Sequence, residues 1–245
     1  GKMATDSIPS RKDGGWSDDA RGTFGWGMSA SGLAAVWATE NTREAIVAAM
    51  RRREVYATSG PRIAVRTYGG LNLPATVLET PGFPDSIQAE AVPMGGEIMG
   101  AGADDRFTMA IEAQADPKSV HLDRIQVVKG WIDASGEVRE RVYDAAWSGD
   151  DRLQPDGSLA PVGSSVDLKT GLTTNSIGLP RLTVVWQDPE FDPAQSAFYY
   201  ARVLQILTAR HSLLDKLALG DEDIDTRRPD TIQERAYTSP IWYRP

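Results

Sequence analysis

SASGLAAVWATENTREAIVAAMRRREVYATSGPR, Ser29 to Arg62, is the stretch on which the fold reading turns. It opens with a short apolar run, Leu33 to Ala38, broken by the polar Thr39-Glu40-Asn41. The strongest helical pattern in the chain follows, Thr42 to Tyr56, with Ala45, Ile46, Ala49 and Met50 along one face. Asn41-x-x-Glu44 fits a variant capping box, a side-chain acceptor followed three residues on by a carboxylate. Arg51-Arg52-Arg53, the one basic run, suits a helix C-terminus, where cations favour the dipole. Ser59-Gly60-Pro61 is a stop, because the residue before proline avoids the α region. Strand, loop, helix and stop make the format of one β/α unit. A lone unit cannot bury both faces of its strand, since parallel strands need neighbours and covering helices. Nothing in Gly1 to Met28 looks able to supply them, so the stretch predicts the last strand and helix of a barrel begun outside this sequence.

From Ile63 the period changes to two. IAVRTYG, SIQAEAV, FTMAIEAQA, LDRIQVVKGWID, GEVRERVYDAAW, LTVVWQD and FYYARVLQI each alternate or cluster apolar residues over strand length. Turn chemistry separates them, as at Gly69-Gly70, Asp116-Pro117, Pro155-Asp156-Gly157 and Asp192-Pro193. About seven short strands so punctuated predict a mainly antiparallel β-sandwich, with WIDASGEVRERVY its clearest hairpin. ARHSLLDKLALG predicts a short helix ending at Gly220, and ERAYTSPIWYRP an extended tail packing back. The fold class expected is therefore mixed α and β. Its parts are an irregular surface loop over 1–28, the terminal barrel unit over 29–62, a sandwich over 63–207, and a short helix with extended tail over 208–245.

Composition narrows the chemistry. Lys and Arg number 26 against 34 Asp and Glu, a formal charge of −8 that argues against non-specific nucleic-acid binding. There is no cysteine, which excludes disulfides, thiolate metal sites and a cysteine nucleophile. No run approaches the roughly 18 apolar residues of a membrane span. The first residues, GKMATDSIPSRKDGG, have no apolar core of a signal peptide, and Met3 follows Gly1-Lys2, so the chain reads as a piece of something longer.

His121 and His211 are the only histidines, too few and too separated for a histidine-rich metal site. No G-x-S-x-G elbow precedes a helix, and the glycine-rich Met94-Gly95-Gly96-Glu97 lacks the following helix that phosphate cradling needs. In β/α barrels, function gathers where strands run into the following loops. On that ground Glu40 and Asn41, with Thr58, Ser59 and Arg62, are the candidates for a substrate-pocket wall. Arg62 is included because a guanidinium holds an anionic group bidentately. No residue of the chain is assigned as a catalytic group or metal ligand.

SGLAAVWATENTREAIVAAMRRREVYATSGPRI, PMGGEI, LDRIQVVKGWID with ERVYDAAWSG, LTVVWQDPEFDPAQSAFYYARVLQI and QERAYTSPIWYRP occur in this order from about Gly27 to the end. Together they resemble the C-terminal part of bacterial metallohydrolases of the PHP superfamily (polymerase and histidinol phosphatase type). The likeness is strongest to a large group described as a domain of unknown function. The resemblance implies a two-part protein whose N-terminal part is a distorted β/α barrel carrying the metal ligands. It implies divalent zinc, manganese or iron in the full-length protein, none of it bound by this chain alone. Relatives in the superfamily include esterases, carbamate hydrolases and phosphoesterases. The partners implied are the ligand-bearing N-terminal segment and a small ester or phosphoester substrate; a homo-oligomer is allowed, and a bacterial periplasmic location is favoured over a cytoplasmic one.

Two functions follow. In the first, the chain is the C-terminal part of a metal-dependent hydrolase that attacks ester, carbamate or phosphoester bonds with metal-activated water. In the second, it is a non-catalytic β-sandwich binding or interaction module. A weaker form of the second places carbohydrate on Trp131, Trp147 and Trp186.

Overall fold

The structure, a computed structural model, describes residues 32–220 and 228–245. The loop expected over 1–28 lies outside them. Two mainly antiparallel sheets pack face to face, the one parallel pair among the described residues being β5 with β14. The larger contains β1 (Leu33–Val36), β2 (Val55–Thr58), β5 (Glu97–Met99), β7 (Leu122–Ile132), β8 (Val138–Trp147), β10 (Ala197–Gln205), β13 (Arg235–Thr238) and β14 (Ile241–Arg244). The smaller runs β4 (Ala91–Pro93), β3 (Ala64–Leu71), β6 (Phe107–Gln114), β9 (Arg181–Gln187). A two-residue ribbon joins β11 (Thr208–Ala209) to β12 (Thr231–Ile232).

The expected barrel unit is not formed. Leu33–Val36 pairs antiparallel with Val55–Thr58, Leu33 opposite Thr58 and Val36 opposite Val55. Helix α1 (Arg43–Arg52) is thus an insertion between two adjacent antiparallel strands. The helical pattern was extended too far. Thr42, not Asn41, is the N-cap, its hydroxyl accepting from the Ala45 amide at 3.3 Å. The helix ends at Arg52, with Arg53 in the left-handed region at φ 62° donating its N–H to the Ala49 and Met50 carbonyls. Val55 to Thr58 then reads as strand on the strength of its β-branched and aromatic residues. Ser59-Gly60-Pro61 ends that strand rather than the helix. Gly95 packs against the Arg53 turn so closely that a Cβ there would lie 2.5 Å from the Arg53 carbonyl oxygen.

The other β segments follow the period-two reading, with one exception. SIQAEAV supplies only Ala91–Pro93 as strand; Asp85–Ile87 is a 3₁₀ turn instead. The helix α2 (His211–Leu219) forms as expected and is closed by Gly220 at φ 63°. The aromatic tail becomes β13 and β14, which share one edge of β10, so the C-terminus is a structural part of the larger sheet.

Alternation assigns the faces. Ile125, Val127, Lys129 and Trp131 of β7, and Tyr199, Ala201 and Val203 of β10, point at the smaller sheet. There Phe107 stacks on Tyr199 with ring centroids 3.8 Å apart and planes 12° from parallel. The far face of the smaller sheet is covered by its own chain: Leu73, Val77 and Ile87 close over Ala91 and Ala110, with Tyr68 and Phe83 at the margin. The far face of the larger sheet has no such cover among the described residues beyond α1 at one end.

Candidate functional site

That far face is built by residues two apart on each strand. Across β10 run Phe198, Tyr200 and Arg202, and register sets Gly130, Val128 and Gln126 of β7 beside them in turn. On the other side Trp242 of β14 lies opposite Phe198, and Tyr237 of β13 opposite Arg202. Glu140, Val142 and Asp144 of β8 complete the rows. Four aromatic side chains on neighbouring strands face outward, with Trp242 39% and Tyr237 36% exposed. Phe198 and Tyr200 between them are half-buried, so the four rings form one contiguous set.

The rings are held in a defined arrangement. The Phe198 and Tyr200 ring planes are nearly parallel, 8° apart, with 6.4 Å between centroids. Phe198 can lie down against β7 because position 130 is glycine; a Cβ there would sit 2.3 Å from the Phe198 ring. Trp242 tilts 53° from Phe198 at 5.4 Å, and Tyr237 tilts 48° from Tyr200 at 6.3 Å, forming one raised side. Burial, and then the Glu140 carboxylate, push the Tyr200 phenol above its ordinary range, so its hydroxyl is protonated at neutral pH. Beyond Tyr237 the face runs into a groove of about 430 Å³ lined by Ala34, Val36, Met50, Val55 and Ala57.

A polar row borders the aromatic set. Arg202 Nε donates to Gln126 Oε1 at 2.8 Å, and Gln126 Nε2 donates to Asp144 Oδ1 at 2.8 Å. Arg124 approaches Asp144 at 3.4 Å and donates from Nε to Asp123 Oδ2 at 3.0 Å. Asp123, 1% exposed, also meets Arg152 Nη2 at 2.8 Å and accepts from Gln233 Nε2 at 3.0 Å. This chain of contacts ties the sheet face to the long segment after β8.

The residues proposed for a pocket wall do not come together. Glu40, exposed, accepts from Thr42 Oγ1 at 3.1 Å beyond the Val36 end of β1, with exposed Asn41 beside it. Thr58 stands at the opposite end of the ladder, opposite Leu33, and accepts from the Gly60 amide at 3.4 Å. Ser59 is bound to the Arg235 backbone, its hydroxyl accepting from Arg235 N–H at 2.8 Å. Arg62 is exposed, and its backbone N–H donates to Asp116 Oδ2 at 2.8 Å. Trp131 and Trp186 pack against the core cluster, and Trp147 stands at the opposite end of the β7–β8 ladder from Trp131, so these three do not form one platform. The exposed aromatic set was missed, although FYYAR carried a signal. A strand that is apolar or aromatic on both faces, in an antiparallel sheet, has a second face that is not simply solvated.

Among the described residues no group of three or more His, Cys, Asp or Glu side chains could hold a metal ion. These residues therefore do not fit zinc, manganese or iron, and no chemical step on a metal is assigned to them. No helix among them is long and apolar enough to cross a membrane.

Fold and face together define a mainly antiparallel, β-rich sandwich with an outward aromatic face. Residues 1–245 match the family model described as "Protein of unknown function (DUF3604)", and the chain belongs to that family. No curated protein and no solved structure matches it.

Proposed function

We propose that this chain is the non-reacting, binding portion of a metal-dependent hydrolase that acts on ester, carbamate or phosphoester bonds. The observation that carries the binding role is the outward aromatic set Phe198, Tyr200, Tyr237 and Trp242 with its polar border. The hydrolase part rests on the resemblance of LDRIQVVKGWID, LTVVWQDPEFDPAQSAFYYARVLQI and QERAYTSPIWYRP to PHP-type metallohydrolases. Those same segments form β7, β10, β13 and β14, which build most of the face, and β9 of the smaller sheet. In this reading the metals and the attacking water belong to a segment outside the described residues. The chain braces that segment and holds part of the substrate.

The test uses the longer protein that contains this region, loaded in turn with zinc, manganese and iron, against chromogenic esters, carbamates and phosphoesters. Metal-dependent turnover by the longer protein, and none by the 245-residue chain alone, is the expected pattern. Absence of turnover on every substrate and metal would leave the second reading, a non-catalytic sandwich module using the same face.

A further inference from the structure

We propose that the outer edge of β1 is a docking edge, beside which the segment carrying the metal ligands adds a strand to the larger sheet. The proposal rests on the reading of this chain as the bracing part of a longer protein, and names the edge through which it braces.

Backbone pairing locates the unused hydrogen-bonding groups. In an antiparallel ladder, residues directly opposite alternate between pairs that exchange both hydrogen bonds and pairs that exchange none. Trp37 N–H donates to the Glu54 carbonyl at 2.9 Å, and these two continue the register of Ala35 with Tyr56 and Leu33 with Thr58. Ala34 and Val36 therefore turn their N–H and C=O groups away from β2. The other side of β2 agrees: Ser59 N–H donates to the Arg235 carbonyl and Ser239 N–H to the Val55 carbonyl. Val55 and Ala57 thus serve β13, and Tyr56 and Thr58 serve β1. β1 has no second neighbour among the described residues, so the outward groups of Ala34 and Val36 line an open edge.

That edge is unguarded. Sheets blunt their outer strands with charge, proline, bulges or short length, because an open edge recruits any extended chain. The outer strand β8 carries Arg139, Glu140, Arg141 and Asp144, and β4 and β5 have three residues each. β1 is Leu-Ala-Ala-Val, uncharged and in unbroken register with β2. In a chain with 34 acidic and 26 basic residues, an outer strand without any charge fits one that is paired on both sides.

Packing beside the edge defines the chemistry of the added strand. Ala34 and Val36 line the apolar groove of about 430 Å³ together with Met50, Val55 and Ala57. Directly paired residues share a face, so the incoming strand presents apolar side chains at alternate positions, opposite Ala34 and Val36. Helix α1, which joins β1 to β2, calls for cover as well. A ten-residue helix is marginal in water without a packed face, yet only Ala49 of α1 is buried, and Val47 and Met50 are 39% and 52% exposed. The occupant is the attached segment rather than a free partner. The chain enters the sheet at Leu33 itself, and such a tether holds a strand at an effective concentration on the order of millimolar.

Hydrogen exchange at single-amide resolution is measured on the longer protein and on the 245-residue chain. In the chain alone the Ala35 amide, facing Tyr56, is expected to exchange more slowly than those of Ala34 and Val36. In the longer protein the Ala34 and Val36 amides should slow by about a hundredfold or more. Ala34→Pro removes an outward N–H and leaves the ladder with β2 intact. In the longer protein it should return Val36 to its rate in the chain alone, while Ala35 stays protected. Where that variant does not fold, the comparison of the two wild-type proteins decides. Fast exchange at Ala34 and Val36 in the longer protein overturns the proposal, as does equal protection of both in the 245-residue chain. Protection in that chain that rises with its concentration assigns the edge to a second copy and also overturns it. Exchange reads no turnover, so a protected edge in a protein that hydrolyses nothing removes the hydrolase reading alone.

Discussion

Lys129 Nζ lies 2.6 Å from Asp188 Oδ2, with 4% and 0% of the two side chains exposed. Lys129 belongs to the larger sheet, and Asp188 follows β9 of the smaller one, so the pair is a polar tie between the layers. Both partners are hydrogen-bonded further: Lys129 also donates to the Glu190 carbonyl at 2.8 Å, and the Tyr199 hydroxyl donates to the same Asp188 oxygen at 2.7 Å. Burial, with Asp188 beside it, pushes the Tyr199 phenol far above its ordinary range, so it remains a donor. Desolvation makes such a pair poor evidence for net stability, but removing one partner leaves an uncompensated buried charge.

Lys129→Met is therefore expected to destabilise the chain by about 3–5 kcal/mol, read from urea unfolding. Lys129→Met with Asp188→Leu should cost less than the sum of the two single changes. Additive costs would show that the charges are not coupled through this contact.

Gly130→Ala is the most direct probe of the aromatic face. The added Cβ would overlap the Phe198 ring, 2.3 Å from its nearest atom. Overpacking of this kind costs about 1–3 kcal/mol, and near-ultraviolet circular dichroism should report a changed ring environment. An unchanged spectrum and unchanged stability would mean that the ring does not rest on β7.

Arg152 pins the segment that follows β8. It is 7% exposed and donates to the carbonyls of Ser148 at 2.6 Å and Ala160 at 2.9 Å besides pairing with Asp123. Arg152→Met should cost about 3 kcal/mol and open residues 149–180 to limited proteolysis ahead of the sheets. Cleavage at the wild-type rate would show that the segment is held by its other contacts.

Asp133 gives a pH test. The Ser135 hydroxyl first, then Arg139 and the Glu137 amide, hold its carboxyl well below the usual range at the turn of the β7–β8 hairpin. A depressed native value means that the contribution is present above the unfolded value of about 3.9 and lost as pH falls through the native one. Carbon-detected NMR should find Asp133 still ionised at pH values where exposed aspartates have titrated. A midpoint near the ordinary value would contradict the hydrogen bonding described.

The sandwich was largely legible because its strands carry period two: FTMAIEAQ and LDRIQVVKGWI became β6 and β7 close to their expected bounds. The barrel expectation failed at a local boundary. Arg51-Arg52-Arg53-Glu54 continues a helical composition, and only the left-handed turn at Arg53 reveals that Val55 starts a strand. Once that strand exists, it pairs with Leu33–Val36 directly and the β/α format dissolves. The pocket candidates were placed by analogy with a barrel rim, so they lost their common location with the barrel. The polar network was illegible for a different reason. Asp123, Arg152 and Gln233 are far apart in sequence, and their meeting depends on the path of the segment after β8.

The central claim, that the face binds substrate while chemistry happens elsewhere, is tested most directly by steady-state kinetics of Trp242→Ala in the longer, metal-loaded protein. The expected result is a raised KM with kcat and metal content unchanged, since the residue would contribute binding alone. Loss of metal or a fall in kcat at unchanged KM would contradict it, as would kinetics identical to the wild type.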